Sequence, residues 1–196
     1  MMRLVALFLL AISGVTAFAH AKTLDPGGVI RPELLERAVA AMEARGSAGH
    51  ATGTLVVVDY SLHSSRERLF VIDLETGAVS AYRTAHGRGS DPDHDGYLDS
   101  FSDVPGSAAS PEGLYRTAET YQGGHGRSLR LDGLDKTNAN ARARAIVIHS
   151  AVYAEPGHLK THGKLGRSYG CIVFSAADLA SFLDQVPEGT LIFVGK

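Results

Sequence analysis

Gly166-Arg167-Ser168-Tyr169-Gly170-Cys171-Ile172-Val173-Phe174 is a glycine-containing turn that leads into an apolar run, and it carries the only cysteine of the chain. Upstream, Ala145-Ile146-Val147-Ile148-His149-Ser150 reads as a buried strand that ends on a histidine. A histidine at a strand end can face a neighbouring loop and take a thiol proton, giving the thiolate that attacks carbonyls. A lone cysteine is either a small buried hydrophobe or a group kept for its reactivity. Gly170 favours the second reading, because it removes the side chain next to the sulfur and lets a substrate carbonyl approach the backbone. Successive N–H groups at Tyr169, Gly170 and Cys171 can then point at one spot, as an oxyanion hole requires.

Outward from these two segments the pattern is mostly strand. Residues 54–60, 69–74 and 79–84 are short runs rich in Val, Ile and aromatics, separated by Ser- or Gly-containing turns, and predict a three-stranded meander. Further strands are expected at 114–121, 128–131, 145–149 and 190–194. Pro32 can open a helix running to about Arg45, since Leu34, Leu35, Ala38, Val39 and Met42 recur on one face. Ser175 followed by Asp178 caps a last helix through Leu179, Phe182, Leu183 and Val186, stopped by Pro187. Residues 87–113 show no periodicity, and a loop of this length in a compact domain is functional or mobile. It is expected to wall a substrate cleft, with His86 at its root.

Composition narrows the class. The 196 residues are 44% apolar and 20% charged, which suits one globular domain with a sizeable core. Nineteen Lys and Arg against 21 Asp and Glu leave a formal charge of -2, so nothing points to nucleic acid or an anionic membrane as a partner. One cysteine excludes an internal disulfide and any metal site that needs two thiolates. Met1-Met2-Arg3, the mostly apolar residues 4–15, and the spacings Ala17-Phe18-Ala19 and Ala19-His20-Ala21 read as a cleaved export signal over residues 1–21. A membrane anchor is the alternative, but the apolar run is shorter than the ~20 residues a spanning helix needs. The expected organisation is that signal, an N-terminal helical segment over 22–53 and a catalytic domain over 54–196.

The strand ending in His149, the Gly-Arg-Ser-x-Gly-Cys turn and His86-Gly87-Arg88-Gly89-Ser90 together resemble the L,D-transpeptidase catalytic domains, the YkuD fold, and in particular the branch known as murein L,D-transpeptidase catalytic domains. Phe101-Ser102-Asp103-Val104-Pro105-Gly106-Ser107 and Ser128-Leu129-Arg130-Leu131-Asp132-Gly133-Leu134 are similar to that branch as well. The resemblance runs from about Thr54 to Val194. It implies an α+β fold, mostly β, in the form of a YkuD-like β-sandwich with flanking helices. It also implies that Cys171 attacks the bond between the third and fourth residues of a peptidoglycan stem peptide, with His149 as base. Ser150 or a nearby main-chain carbonyl would hold the His149 ring. An amine from another stem, or water, would resolve the thioester, in an exported enzyme of the periplasm or cell wall. No metal or organic cofactor is implied.

This chain departs from better-studied members in two places. Tyr169 stands where they carry a second histidine, and Val173 where an arginine often lies. Arg167 is the nearest replacement for a carboxylate-binding cation. His86, Ser168 and His162, which precedes Gly163 near the cysteine turn, complete the expected substrate contacts. His149 and Cys171 are 22 positions apart, a longer gap that suggests an extra loop between Glu155 and Gly166.

Other readings compete. His158 and His162 are four apart, a spacing that can bind zinc on one helix face, but no glutamate of a metalloprotease motif lies between them; for His158 an exposed loop histidine is the alternative. Asp91-Pro92-Asp93-His94-Asp95-Gly96 copies the first half of a calcium loop, yet Ser102 occupies the twelfth position, so an acidic turn is the simpler reading. The same fold could also hold peptidoglycan without catalysis, or act as an L,D-carboxypeptidase or endopeptidase with water as acceptor.

Overall fold

The computed structural model describes residues 23–46 and 52–196. The expected export signal over 1–21 lies outside the described residues. Helix α1 (Pro32–Glu43) begins on the proline, whose missing N–H would have no helical partner there. Strands β1 (Thr54–Asp59), β2 (Leu69–Asp73) and β3 (Val79–Tyr82) form the antiparallel meander that the sequence predicts. After the loop over 83–112 come the long strands β4 (Gly113–Gly123) and β5 (Gly126–Gly133), then β6 (Val147–Ser150). Helix α2 (Pro156–His162), β7 (Ile172–Phe174), α3 (Ala176–Gln185) and β8 (Leu191–Gly195) complete the chain.

All eight strands join one mixed sheet in the order β3-β2-β1-β8-β4-β5-β6-β7. The expected sandwich therefore takes the form of a single sheet folded over its own core. Its two ends meet: Ala85, three residues beyond β3, donates to the Val173 carbonyl at 2.8 Å and accepts from the Val173 N–H at 3.4 Å. Fully buried strands explain why β1 and β8 lack alternation in the sequence. Val56, Val58, Ile192 and Val194 face the enclosed core with Tyr115, Leu131, Ile148, Ile172 and Phe174. Leu55, Val57, Leu191 and Phe193 face outward under Leu34, Ala38 and Met42 of α1. Covering each large apolar side chain contributes about 1.5–3 kcal/mol, so α1 is an integral layer of the body. Its start is fixed by Arg31, which grips the buried Asp59 carboxylate through two bonds of 2.8 and 3.2 Å.

At the other end of the core, the Ser175 hydroxyl accepts from the Asp178 N–H at 3.1 Å and starts α3, which packs Leu179 and Phe182 beneath the sheet. The gap between Glu155 and Gly166 holds helix α2, where an extra loop was expected. The apolar run after Cys171 is the short strand β7, too brief for its own period to show.

The loop over 87–113 has a structural role as well. It is pinned to the body, with Ser90, Asp91, Leu98, Ala109 and Ser110 buried and Leu98 part of the enclosed core. Arg144 holds it from below, donating to the carbonyls of Ser102 at 2.8 Å and Ala109 at 2.7 Å and to Asp103 and Ser107 at 3.3 Å.

Candidate active site

Strands β6 and β7 run parallel, with Ile148 opposite Ile172 and His149 opposite Val173. Alternation sends Ile148, Ile172 and Phe174 into the core and leaves His149 on the other face. Cys171, one position before β7, falls on that same face, where it packs beside Ala85, Ala154, Leu165 and Val173. Diagonal positions on neighbouring strands lie about 7–8 Å apart, a separation that a histidine side chain largely spans. The register of two short strands thus puts the thiol and the imidazole on one face of the sheet.

The His149 ring has a fixed proton position. His149 is 3% exposed, and its Nδ1 lies 3.0 Å from the Ser150 carbonyl. A carbonyl can only accept, so Nδ1 carries the proton and Nε2 keeps its lone pair. Burial lowers the proton affinity of the ring below that of an ordinary histidine; the Ser150 carbonyl opposes this and the neighbouring His125 adds to it.

The thiol behaves differently from the sequence-based expectation. Cys171 is half-buried and its Sγ donates to the Ala145 carbonyl at 3.6 Å. Burial pushes its pKa above the ordinary value, outweighing the Val147 N–H and the Arg144 cation that favour the thiolate. The resting group is a neutral thiol. The accepting carbonyl belongs to Ala145, which adopts a left-handed φ of 54°, a conformation that costs a non-glycine residue about 1 kcal/mol or more.

The turn before Cys171 is braced by Ser168. Its hydroxyl donates to the Cys171 carbonyl at 2.8 Å and accepts from the Gly170 N–H at 3.1 Å. The Gly170 N–H is therefore occupied, which removes it from the expected oxyanion donors and leaves those of Tyr169 and Cys171. Gly170 itself has φ 117°, and a Cβ there would lie 2.7 Å from the Ala109 carbonyl oxygen and 2.8 Å from Ile146 Cδ1. Gly170→Ala is expected to destabilise the fold by about 2–4 kcal/mol through strain and overpacking. A thermal melt within 1 °C of wild type would contradict this.

Beside the turn runs a groove of about 610 Å³ lined by Arg88, Pro105, Gly106, Ala108, Ala143, Arg144 and Tyr169. The Arg88 guanidinium lies 4.1 Å from the centroid of the exposed Tyr169 ring.

Compared with known proteins, the sequence matches the L,D-transpeptidase catalytic domain over residues 28–194. The chain belongs to that family. Among solved structures it is similar to an L,D-transpeptidase from Mycobacterium smegmatis, at 17% identity and a TM-score of 0.45, covering 74% of this chain and 59% of that one. It is also similar to L,D-transpeptidase 3 from Mycobacterium tuberculosis in complex with a faropenem-derived adduct, at 16% identity, a TM-score of 0.47, and coverage of 74% and 60%. Bdellovibrio bacteriovorus Bd1075 matches at 16% identity and a TM-score of 0.47, covering 74% of this chain and 48% of that one. The chain spans about half to three-fifths of the length of these relatives. No curated protein matches the sequence at a significant level.

In this L,D-transpeptidase domain the other expected contacts are distributed unevenly. His86 is 1% exposed and sits between Arg68 and Asp91: Arg68 Nη2 donates to Nδ1 at 2.7 Å, so Nε2 carries the proton and donates to Asp91 Oδ2 at 3.1 Å. Burial, with the Arg68 cation, pushes its pKa down to about 2. The close approach to Asp91 is thus a hydrogen bond from a neutral ring, and His86 is a buried strut where a substrate contact was expected. Arg167 turns back onto the Asp91 carbonyl. His162 is exposed on α2, its ring 4.3 Å from that of His158, which sits on this helix where an exposed loop position was the alternative reading. Among the described residues the only group of three or more possible metal ligands is Asp91, Asp93 and Asp95, whose oxygens lie within 4.8 Å of one another. Asp91 already accepts from Asp95 N, Gly96 N and His86.

Three residues beside the site escaped the sequence reading. Arg144 carries no local pattern that separates it from Arg142. Tyr153 faces Cys171 across the sequence gap, where burial raises its phenol to about 12. His125 comes from the β4–β5 turn, more than 20 positions from either partner.

Proposed function

We propose that this domain is a cysteine-dependent peptidoglycan L,D-transpeptidase that acts through Cys171 and His149. The observation that carries the reading is their common face on β6 and β7, with the His149 proton fixed on Nδ1 and its Nε2 lone pair available. In the first step the Cys171 hydrogen leaves the Ala145 carbonyl for His149 Nε2 as sulfur attacks the carbonyl carbon between the third and fourth stem residues. The Tyr169 and Cys171 N–H groups receive the developing oxyanion. Collapse expels the amine of the fourth residue, which takes the proton back from His149 and leaves a thioester on Cys171. An amine of a second stem then attacks the thioester and restores the thiol; with water in its place the same intermediate gives a carboxypeptidase.

Because the resting thiol is neutral, attack is a general-base step, and His149 must be neutral for it. The groove with Arg88 and Tyr169 is the path we assign to the stem peptide, with Arg88 taking the carboxylate-binding role expected of Arg167. The substrate places the domain outside the cytoplasmic membrane, in keeping with the export signal read in residues 1–21. No helix among the described residues is long and apolar enough to cross a membrane.

Incubation with imipenem followed by intact-mass measurement tests the acyl-enzyme: one adduct on Cys171 is expected. Purified tetrapeptide muropeptides then report the acceptor, with a crosslinked dimer expected and a tripeptide alone indicating hydrolysis. Absence of any adduct or product would make the domain a peptidoglycan-binding module.

A further inference from the structure

The β4–β5 hairpin turns on Gly124 and His125, and its register slips between Thr117 and Thr120, a bulge that adds twist to a long two-stranded arm. β5 pairs with β6 through Leu129 opposite Ile148, which carries the tip past the end of β6. There the His125 ring lies over the His149 ring, with centroids 4.2 Å apart and planes 21° from parallel. The flanking Gly124 and Gly126 have open space where a Cβ would be, so the tip is not packed through them. His125 is itself exposed while His149 is 3% exposed, so the outer ring forms part of the cover of the inner one.

We propose that His125 is a positioning residue for the base: its ring clamps the His149 imidazole against β6 and keeps water from that face. The inference rests on the reading of His149 as the base. A clamped ring holds Nε2 toward Cys171 without the entropy that a free imidazole would lose at each turnover. With the ring centroids 4.2 Å apart, charge on His125 opposes charge on His149.

The charged and titratable groups on the elements around His149 are Cys171 ahead of β7, His125 on the hairpin turn, Arg127, Arg130 and Asp132 on β5, and Tyr153 and Glu155 beyond the end of β6. The side of α3 that meets the hairpin presents Ala176, Leu179, Ala180 and Leu183. Of these groups, His125 acts directly on the proton affinity of His149.

The test measures acylation by imipenem from pH 5 to 8 in the wild type, His125→Ala and His125→Phe. His125→Ala is expected to slow acylation at neutral pH by about tenfold. Its acid limb should move to higher pH, because a more hydrated His149 with no second imidazole holds a proton more readily. Phenylalanine keeps the stacked ring and should return the rate to within about threefold of wild type. Wild-type rate and acid limb in His125→Ala would overturn the proposal, as would an equal defect in the alanine and phenylalanine variants. NMR titration of the His149 ring supplies a readout that needs no turnover: its midpoint is expected to rise in His125→Ala, and an unmoved midpoint overturns the proposal. Failure of the wild type to acylate, with a moved midpoint, would instead sink the reading of the domain as an enzyme and leave the contact standing.

Discussion

Cys171→Ser is expected to lose acylation by imipenem at least about 10³-fold while melting within about 2 °C of the wild type. The reason lies in the proton inventory of the site. His149 is buried and holds a proton less readily than a free histidine, so it can accept one only from a group that is not far more basic. A thiol, even one raised by burial, meets that condition, whereas a serine hydroxyl has a far higher pKa and would remain protonated. Activity of the serine variant near the wild-type level would exclude Cys171 as the nucleophile. The same burial gives a second measurable consequence. At pH 7 the free enzyme should react with iodoacetamide more slowly than an unstructured cysteine, and its rate should climb only at higher pH than that of the unstructured cysteine. Faster alkylation than the free amino acid at neutral pH would instead indicate a preformed thiolate paired with His149, the arrangement that the sequence alone suggested.

The second large effect concerns His86. His86→Ala should destabilise the domain by about 3–5 kcal/mol, because it leaves the fully buried Arg68 and Asp91 each short of a partner. For a chain of this size that lowers the melting temperature by on the order of 10 °C. His86→Gln, which offers an acceptor and a donor, should recover part of it. A melt within 2 °C of wild type would show that the Arg68–His86–Asp91 chain does not hold the loop over 87–113. The pH dependence has a definite sign. The folded ring titrates at about 2 and the unfolded ring near its ordinary 6.5, so between these values only the unfolded chain takes up the proton. His86 therefore contributes stability that is complete above pH 6.5 and declines as pH falls toward 2, by roughly 1.4 kcal/mol per pH unit. A thermal melt series from pH 7 to 4.5 should show this decline in the wild type and a shallower one in His86→Gln.

How much of this could be read from the sequence depended on the distance over which each cause acts. The meander of β1 to β3, helix α1 on Pro32 and the Ser175 cap of α3 are local: apolar period, a proline at a helix start and a side-chain acceptor three residues from its donor all act within a few positions. The strand that carries His149 and the glycine-containing turn before Cys171 were legible for a related reason, since an apolar run and turn residues also act locally. Helix α2 and strand β7 were not, because seven and three residues are too few for a period to declare itself.

What only the tertiary structure decided is the state of each group. His86 and Arg167 have residue types suited to substrate binding, but the folded sheet buries one between Arg68 and Asp91 and turns the other onto the Asp91 carbonyl. Gly170 promised an oxyanion donor, and Ser168 takes that N–H. The thiol expected to ionise is pushed up by burial, and His125 reaches the base from a hairpin that nothing in its own sequence ties to the site. Each of these outcomes depends on desolvation and on hydrogen bonds between segments far apart in the chain, which no local pattern of residues encodes.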